Sequence, residues 1–302
     1  MTEFAEAGAS LRGARLRLSA ALWRRPWLKL GLLLAAPVLV FAVVYLGALV
    51  SLFVSAFWQI DSFTAAVIHK WTLDNFKTLW NDHTYCRITG RTIGLAAAVT
   101  VTDAVLAFPL AYFMARIAPP RWRALLFVAV LLPLWSSYLV RIYAWRTILA
   151  KNGALNWVLN GLGLPDAGLA YTNTAMWIVF SYVWLPFMVL PVYAALERIP
   201  DSYLEASQDL GAKGSRTLRS VILPLAIPGI VAGSIFTFSL TLGDFITPAL
   251  VGGAGSSFIG NIVEDKVGQP DIPFAAAFAT VPVVVMGIYL LIARRLGAFE
   301  AV

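Results

Sequence analysis

The chain carries Glu205-Ala206-Ser207-Gln208-Asp209-Leu210-Gly211, then nine residues, then Val221-Ile222-Leu223-Pro224. This polar, glycine-punctuated segment is too short to be a domain, and long apolar runs flank it on both sides. Asp201 is placed to cap a short helix running from Ser202 to Leu210, with Glu205 in its N-terminal half. Gly211 follows where a left-handed turn would end that helix. Gly214-Ser215 can restart a helix through Leu218 toward Pro224. The expected product is helix, glycine bend, helix. Tyr203, Leu204, Ala206, Ser207 and Leu210 would give it a compact, partly apolar surface, small enough at its centre to sit in a groove of a partner.

The flanking runs decide the fold class. Of 302 residues, 60% are apolar and 13% charged, more apolar surface than a soluble chain could cover with polar groups. Several runs exceed the ~20 apolar residues that cross a bilayer as helix. The reading is an all-α membrane protein with about six spans, near 30–57, 91–115, 123–149, 174–196, 225–250 and 274–293. They make one transmembrane domain over 30–293, after a basic N-terminal segment 1–29 and before a tail 294–302. The opening segment then lies in a loop, 197–224, between spans four and five.

The net charge of +7 would suit nucleic acid, but its distribution says otherwise. With the N-terminus placed inside, 15 of the 23 basic residues fall in cytoplasmic segments, among them Arg116, Arg121, Arg123, Arg198, Lys213, Arg216 and Arg219. Positive charge follows the cytoplasmic side, so both termini and the 197–224 loop are expected there, and no nucleic-acid partner is implied. The Arg-rich N-terminus resembles a signal peptide, but its apolar run is about twice the usual length, which favours an uncleaved first helix. The single cysteine, Cys86, excludes an internal disulfide.

Within the outer connection 58–90, Thr72 could cap a short interfacial helix with Leu73, Phe76, Leu79 and Trp80 on one face. Gly90-x-x-x-Gly94 and Gly229-x-x-x-Gly233 mark helix faces that can approach closely. Prolines at 109, 133, 186, 191, 228, 248 and 282 are expected kinks or hinges.

Three ionisable residues inside the spans are candidates for function. Asp244 and Arg141 lie at matching depth, about 28 and 27 Å above the cytoplasmic starts of their spans. They could pair, Asp244 could attract a cation entering a vestibule, or both could be exposed at the interface. Asp103, near the middle of span two, should face the bundle interior, the pore, or a polar neighbour such as Thr100 or Thr102. His69 and His83 have no carboxylate or cysteine cluster at ligand spacing, so no metal site is expected. No nucleophile–base arrangement is evident. Gly211-Ala212-Lys213-Gly214-Ser215 lacks the full phosphate-loop spacing and the preceding strand, so ATP hydrolysis would need another chain.

The spacing of Glu205-Ala206-Ser207, Gly211 and Val221-x-Leu223-Pro224 resembles the EAA loop of ABC-import permeases. Ser207 stands for the second Ala and Val221 for the usual Ile. The stretches Pro133–Trp145, Lys151–Asn156 and Gly243–Pro248, with Gly252-Gly253 and Ile259–Ile262, resemble the spermidine/putrescine branch of those permeases. The resemblance implies a type I importer permease of the bacterial inner membrane. Its coupling surface would be Tyr203, Glu205, Ala206, Ser207, Asp209, Leu210, Gly211 and Lys213. It further implies two ATP-binding subunits carrying ATP and Mg, a second permease (a paralogue), an extracytoplasmic binding protein, and no cofactor on this chain. Polyamines are the expected cargo. Another small organic solute, such as an amino acid derivative, is the alternative; a membrane-embedded enzyme or channel is a remote one.

Overall fold

The computed structural model describes residues 26–61, 64 and 66–295. Most of the expected cytoplasmic termini, 1–29 and 294–302, therefore lies outside the described residues. The chain divides into two units, Met1–Ser55 and Ala56–Val302. In the first, a helix begins at Pro26 and carries the apolar stretch α1 (Leu33–Ser55). Pro37 lies inside it, and the ladder relaxes into a π turn over Phe41–Leu46, as expected where a missing N–H breaks the i to i−4 pattern.

The second unit opens with a small antiparallel hairpin, β1 (Gln59–Ile60) and β2 (Val67–Ile68). Next come α2 (Asp74–Asn81) and α3 (His83–Ile117). α4 (Pro120–Leu131), α5 (Tyr138–Leu149) and α6 (Ala154–Gly161) follow. The remaining helices are α7 (Asn173–Glu197), α8 (Asp201–Asp209), α9 (Gly214–Leu242), α10 (Ile246–Val251), α11 (Ile259–Gly268) and α12 (Ile272–Arg295). Among the described residues, α1, α3, α7, α9 and α12 are each long and apolar enough to cross a membrane. One further pair, Pro120–Trp135 with Tyr138–Gly161, passes the same test only when taken together and is bent by 94°, the geometry of a broken span or a re-entrant loop.

That bend corrects the expectation of one continuous helix over 123–149. Pro133 sits in a 3-10 turn, Leu132–Trp135, and the Ser136 hydroxyl donates to the Pro133 carbonyl at 2.7 Å. A proline that cannot donate and a serine that takes a backbone acceptor both favour ending the helix. The expected fifth span, 225–250, is also redrawn. Its helix starts earlier, at Gly214, stops at Leu242, and resumes after a short break as α10. By contrast Pro109, Pro186, Pro191, Pro228 and Pro282 all lie inside unbroken helices.

α3, α7 and α9 pack most extensively on one another. α7 is the hub, with 56% of its apolar window buried against 22% for α12. Gly229 and Gly233 explain the α7–α9 approach. A Cβ at Gly229 would lie 2.5 Å from the Ala195 Cβ and 2.6 Å from the Pro191 carbonyl, and one at Gly233 2.7 Å from the Met188 sulfur. Gly90 and Gly94 make no such contact, since nothing lies within 4 Å of an added Cβ; that expected packing face is not used here.

On α2, Phe76 and Leu79 join a cluster with Ile88, Phe274 and Phe278, while Trp80 and Leu73 are exposed. The Thr72 hydroxyl accepts from the Asp74 N–H at 3.1 Å, and with Lys77 it holds the Asp74 carboxyl below its ordinary range. The Thr84 N–H, donating at 2.7 Å, does the same for Asp82 at the start of α3.

Candidate functional site

The segment around Glu205 folds as helix, bend, helix. Pro200 takes the cap position, so Asp201 is the first residue of α8 rather than its cap. Gly211 has φ +73°, its N–H bonds the Gln208 carbonyl at 2.8 Å, and the Ala212 N–H bonds the Ser207 carbonyl at 3.0 Å. This is the paired-bond termination that a left-handed glycine permits. Nothing crowds an added Cβ there, so only the backbone angle demands glycine.

Ser207, which stands where the family pattern has Ala, is buried and shares a 2.9 Å hydrogen bond with the buried Thr217 of α9. Leu204 packs into the core cluster of α3, α7 and α9. Glu205, Ala206, Asp209 and Lys213 face outward. Tyr203 is half exposed and Leu210 is 87% exposed. Beyond the membrane-spanning windows, an apolar side chain this open offers docking surface rather than lipid contact. A cavity of about 360 Å³ beside α8 is lined by Pro191, Ala195, Arg198, Tyr203, Leu225 and Gly229.

Arg116, from the end of α3, was not among the expected site residues, yet it holds this corner together. Its guanidinium pairs with Asp201 at 2.8 Å and donates to the Leu196 carbonyl at 2.6 Å and to the Ile199 carbonyl. It thus adds side-chain donors from another helix to the carbonyls where α7 ends, of which Leu196 also accepts the Ile199 N–H at 3.4 Å. Arg123 of α4 adds a contact to Glu197 at 3.8 Å and donates to the Ala115 carbonyl at 3.2 Å. A lone arginine closing a long apolar run was the available signal for Arg116. Its partners, some 80 residues away, left none.

The three intramembrane charges are not gathered into one site. Asp244 is buried, and its carboxylate accepts from the Ile246 N–H at 2.7 Å, the Thr247 N–H and hydroxyl each at 3.1 Å, and the Tyr138 hydroxyl. It therefore caps α10 and ties it to the first residue of α5. The direct pair with Arg141, one of the alternatives left open, is not among the contacts formed; the Tyr138 hydroxyl lies on the carboxylate instead. The Arg141 guanidinium instead lies 5.9 Å from the Tyr138 ring centroid, with its Nε and Nη1 unpartnered. The other face of the same region is supported by Trp184, whose ring stacks 5.6 Å from that of Tyr138.

Asp103 is fully buried and neither of its oxygens has a partner. The Ser181 hydroxyl and Trp184 indole N–H on α7 are likewise unpaired. Thr100 and Thr102, its expected neighbours, are engaged elsewhere, with the Ala96 carbonyl at 2.7 Å and the Trp177 indole at 3.0 Å. His69 packs edge-on against Trp58 at 4.2 Å. Among the described residues no three metal-ligating side chains come together.

Residues 89–298 match the family described as binding-protein-dependent transport system inner membrane component. The inner membrane ABC transporter permease protein YdcU of Escherichia coli (strain K12) is 48% identical, over 94% of this chain and 95% of that protein. The spermidine/putrescine transport system permease protein PotB of the same organism is 36% identical, over 74% of this chain and 82% of that protein. Among solved structures, a bacterial alginate ABC transporter in complex with its alginate-bound periplasmic protein superposes with a TM-score of 0.71. The two are 19% identical, and the match covers 93% of this chain and 97% of that one; at that identity the likeness concerns the fold.

Proposed function

This chain belongs to the family of binding-protein-dependent transport system inner membrane components, and from that premise we propose that it forms half of an import path for polyamines, driven through α8. As a permease subunit of a multi-pass inner-membrane ABC importer it is not itself an enzyme, and it works with an ATPase and a binding protein. The observation that carries the coupling role is the exposed apolar pair Tyr203 and Leu210, beside a glycine held at φ +73°. Glu205, Ala206, Asp209 and Lys213 complete that docking face, while Ser207 faces inward and fixes α8 to α9.

The rest of the machine follows from one coupling helix per chain. Two ATP-binding subunits, loaded with ATP and Mg, need two such helices, so a second permease, a copy or a paralogue, faces this chain; the resemblance to polyamine permeases favours the paralogue. The polyamine cargo is supported by the identity to PotB and by the stretches Pro133–Trp145 and Gly243–Pro248. Asp244 is committed to its four donors, and Asp103, fully buried with no hydrogen-bond partner, would meet a cationic amine only once α3 and α7 part. A second reading keeps the machine and changes the cargo. It is favoured by the 48%-identical relative, whose name carries no polyamine.

The test is purification of the tagged protein from its native membrane, with uptake of radiolabelled putrescine and spermidine by the same cells. The expected result is a stoichiometric ATPase and second permease, saturable uptake of one of the amines, and loss of both ATPase and uptake in Gly211→Pro. A retained ATPase without amine uptake would hand the cargo to the second reading. A chain that purifies alone would remove the importer role.

A further inference from the structure

We infer that Arg116 is a positioning residue that carries the motion of α8 sideways into the corner between α3 and α4. The inference rests on the reading that α8 docks on an ATPase. Along the chain, α8 can pass motion directly only to its neighbours, α7 before it and α9 after the Gly211 bend, where Ser207 and Thr217 add a side-chain bond. α3 is remote in sequence, and apart from Arg116 it meets α7 through apolar packing and a Thr102–Trp177 hydrogen bond farther along both helices.

One guanidinium closes that gap. It grips the end of α7 through Leu196 and Ile199 and the start of α8 through Asp201. Such contacts are charge-assisted and directional, and a planar guanidinium spreads five donors in a fixed fork, whereas an ammonium offers three from a single atom. Arg123 and Glu197 brace the same corner from α4, and Tyr193 of α7 donates to Glu197 at 3.0 Å.

The two halves of the Arg116 grip differ in exposure. The arginine side chain is only 12% exposed, whereas that of Asp201 is 81% exposed. The carbonyl contacts anchor the arginine in the bundle. The carboxylate contact lies at the exposed side of α8 and follows that helix when α8 is pushed. A cap serving only α7 would need no acid on α8.

The test uses the purified complex with its ATPase, in nanodiscs, on a Cys86→Ser background. Spin labels are placed at Ser202→Cys on α8 or Trp122→Cys at the start of α4, each paired with a reference label at Leu164→Cys. Distance distributions are recorded with and without ATP and vanadate. In the otherwise native complex both labels shift. In Asp201→Asn and Arg116→Ala the Ser202 shift persists, while the Trp122 shift falls to less than half; Arg116→Lys restores part of it.

A full Trp122 shift in both variants would overturn the proposal. If Arg116→Ala fails to assemble, Asp201→Asn decides alone, since it alters an exposed side chain and leaves the carbonyl contacts in place. Absence of any Ser202 shift in the otherwise native complex would instead remove the docking reading, and the proposal with it.

Discussion

Two charged junctions tie separate helices together, and they are built in opposite ways. At the outer one, a buried acid receives. Asp244 accepts from Tyr138, Ile246 and Thr247, joining the bend before α5 to the break before α10. At the cytoplasmic one, a base gives. Arg116 donates to Leu196, Ile199 and the exposed Asp201. A buried acceptor with several donors cannot let go without leaving each of them unsatisfied. A contact standing in solvent exchanges with water at little cost. The junction at Asp244 is therefore a fixture, whereas the carboxylate contact of the junction at Arg116 exchanges readily with water.

The sharpest way to break this contrast is Asp244→Ala. It should cost on the order of 4 kcal/mol, because several buried donors lose their acceptor together. Thermal unfolding in detergent, followed by tryptophan fluorescence, would show it, and a shift no larger than that of a surface variant would undo the comparison. Gly229→Val tests the packing between the junctions. The added side chain meets Ala195 and Pro191, for an expected loss of about 2 kcal/mol in the same assay.

Asp201→Asn should move stability by less than about 1 kcal/mol while reducing binding-protein-stimulated transport. A large stability loss would make the cytoplasmic junction as fixed as the outer one. The smallest effect concerns the outer rim. Asp74 and Asp82 are held below the ordinary carboxylate range, so their contribution is complete above the unfolded value and fades as pH falls through the lowered ones. Hydrogen-exchange protection at the start of α3, taken relative to the intrinsic rate at each pH, should fall on acidification through that range and remain unchanged near neutrality.

Much of this was readable beforehand. Long apolar runs announce spanning helices, and Gly211 is identifiable because a helix that must turn sharply selects the residue that tolerates positive φ. Gly229 and Gly233 mark a real close approach, whereas the same spacing at Gly90 and Gly94 does not, since small residues permit contact without causing it. The break at Ser136–Ser137 was hidden. The residues around it are as apolar as a continuous span, and its cause is a local competition for one carbonyl. Tyr138 with Asp244, Arg116 with Asp201, and Ser207 with Thr217 involve partners on different helices, which one-dimensional periodicity does not encode. Prolines misled in the other direction, because neighbouring helices absorb most of them without a break.

The length of α9 has a mechanical meaning. It runs 29 residues from just beyond Gly211 to just before Asp244, and at the rise of an α-helix it is a rod about 43 Å long. Tilting such a rod by about 5° about one end carries the other through about 4 Å, comparable to one helical pitch. A small rotation at the Gly211 end thus becomes, at the Asp244 end, a displacement of that size.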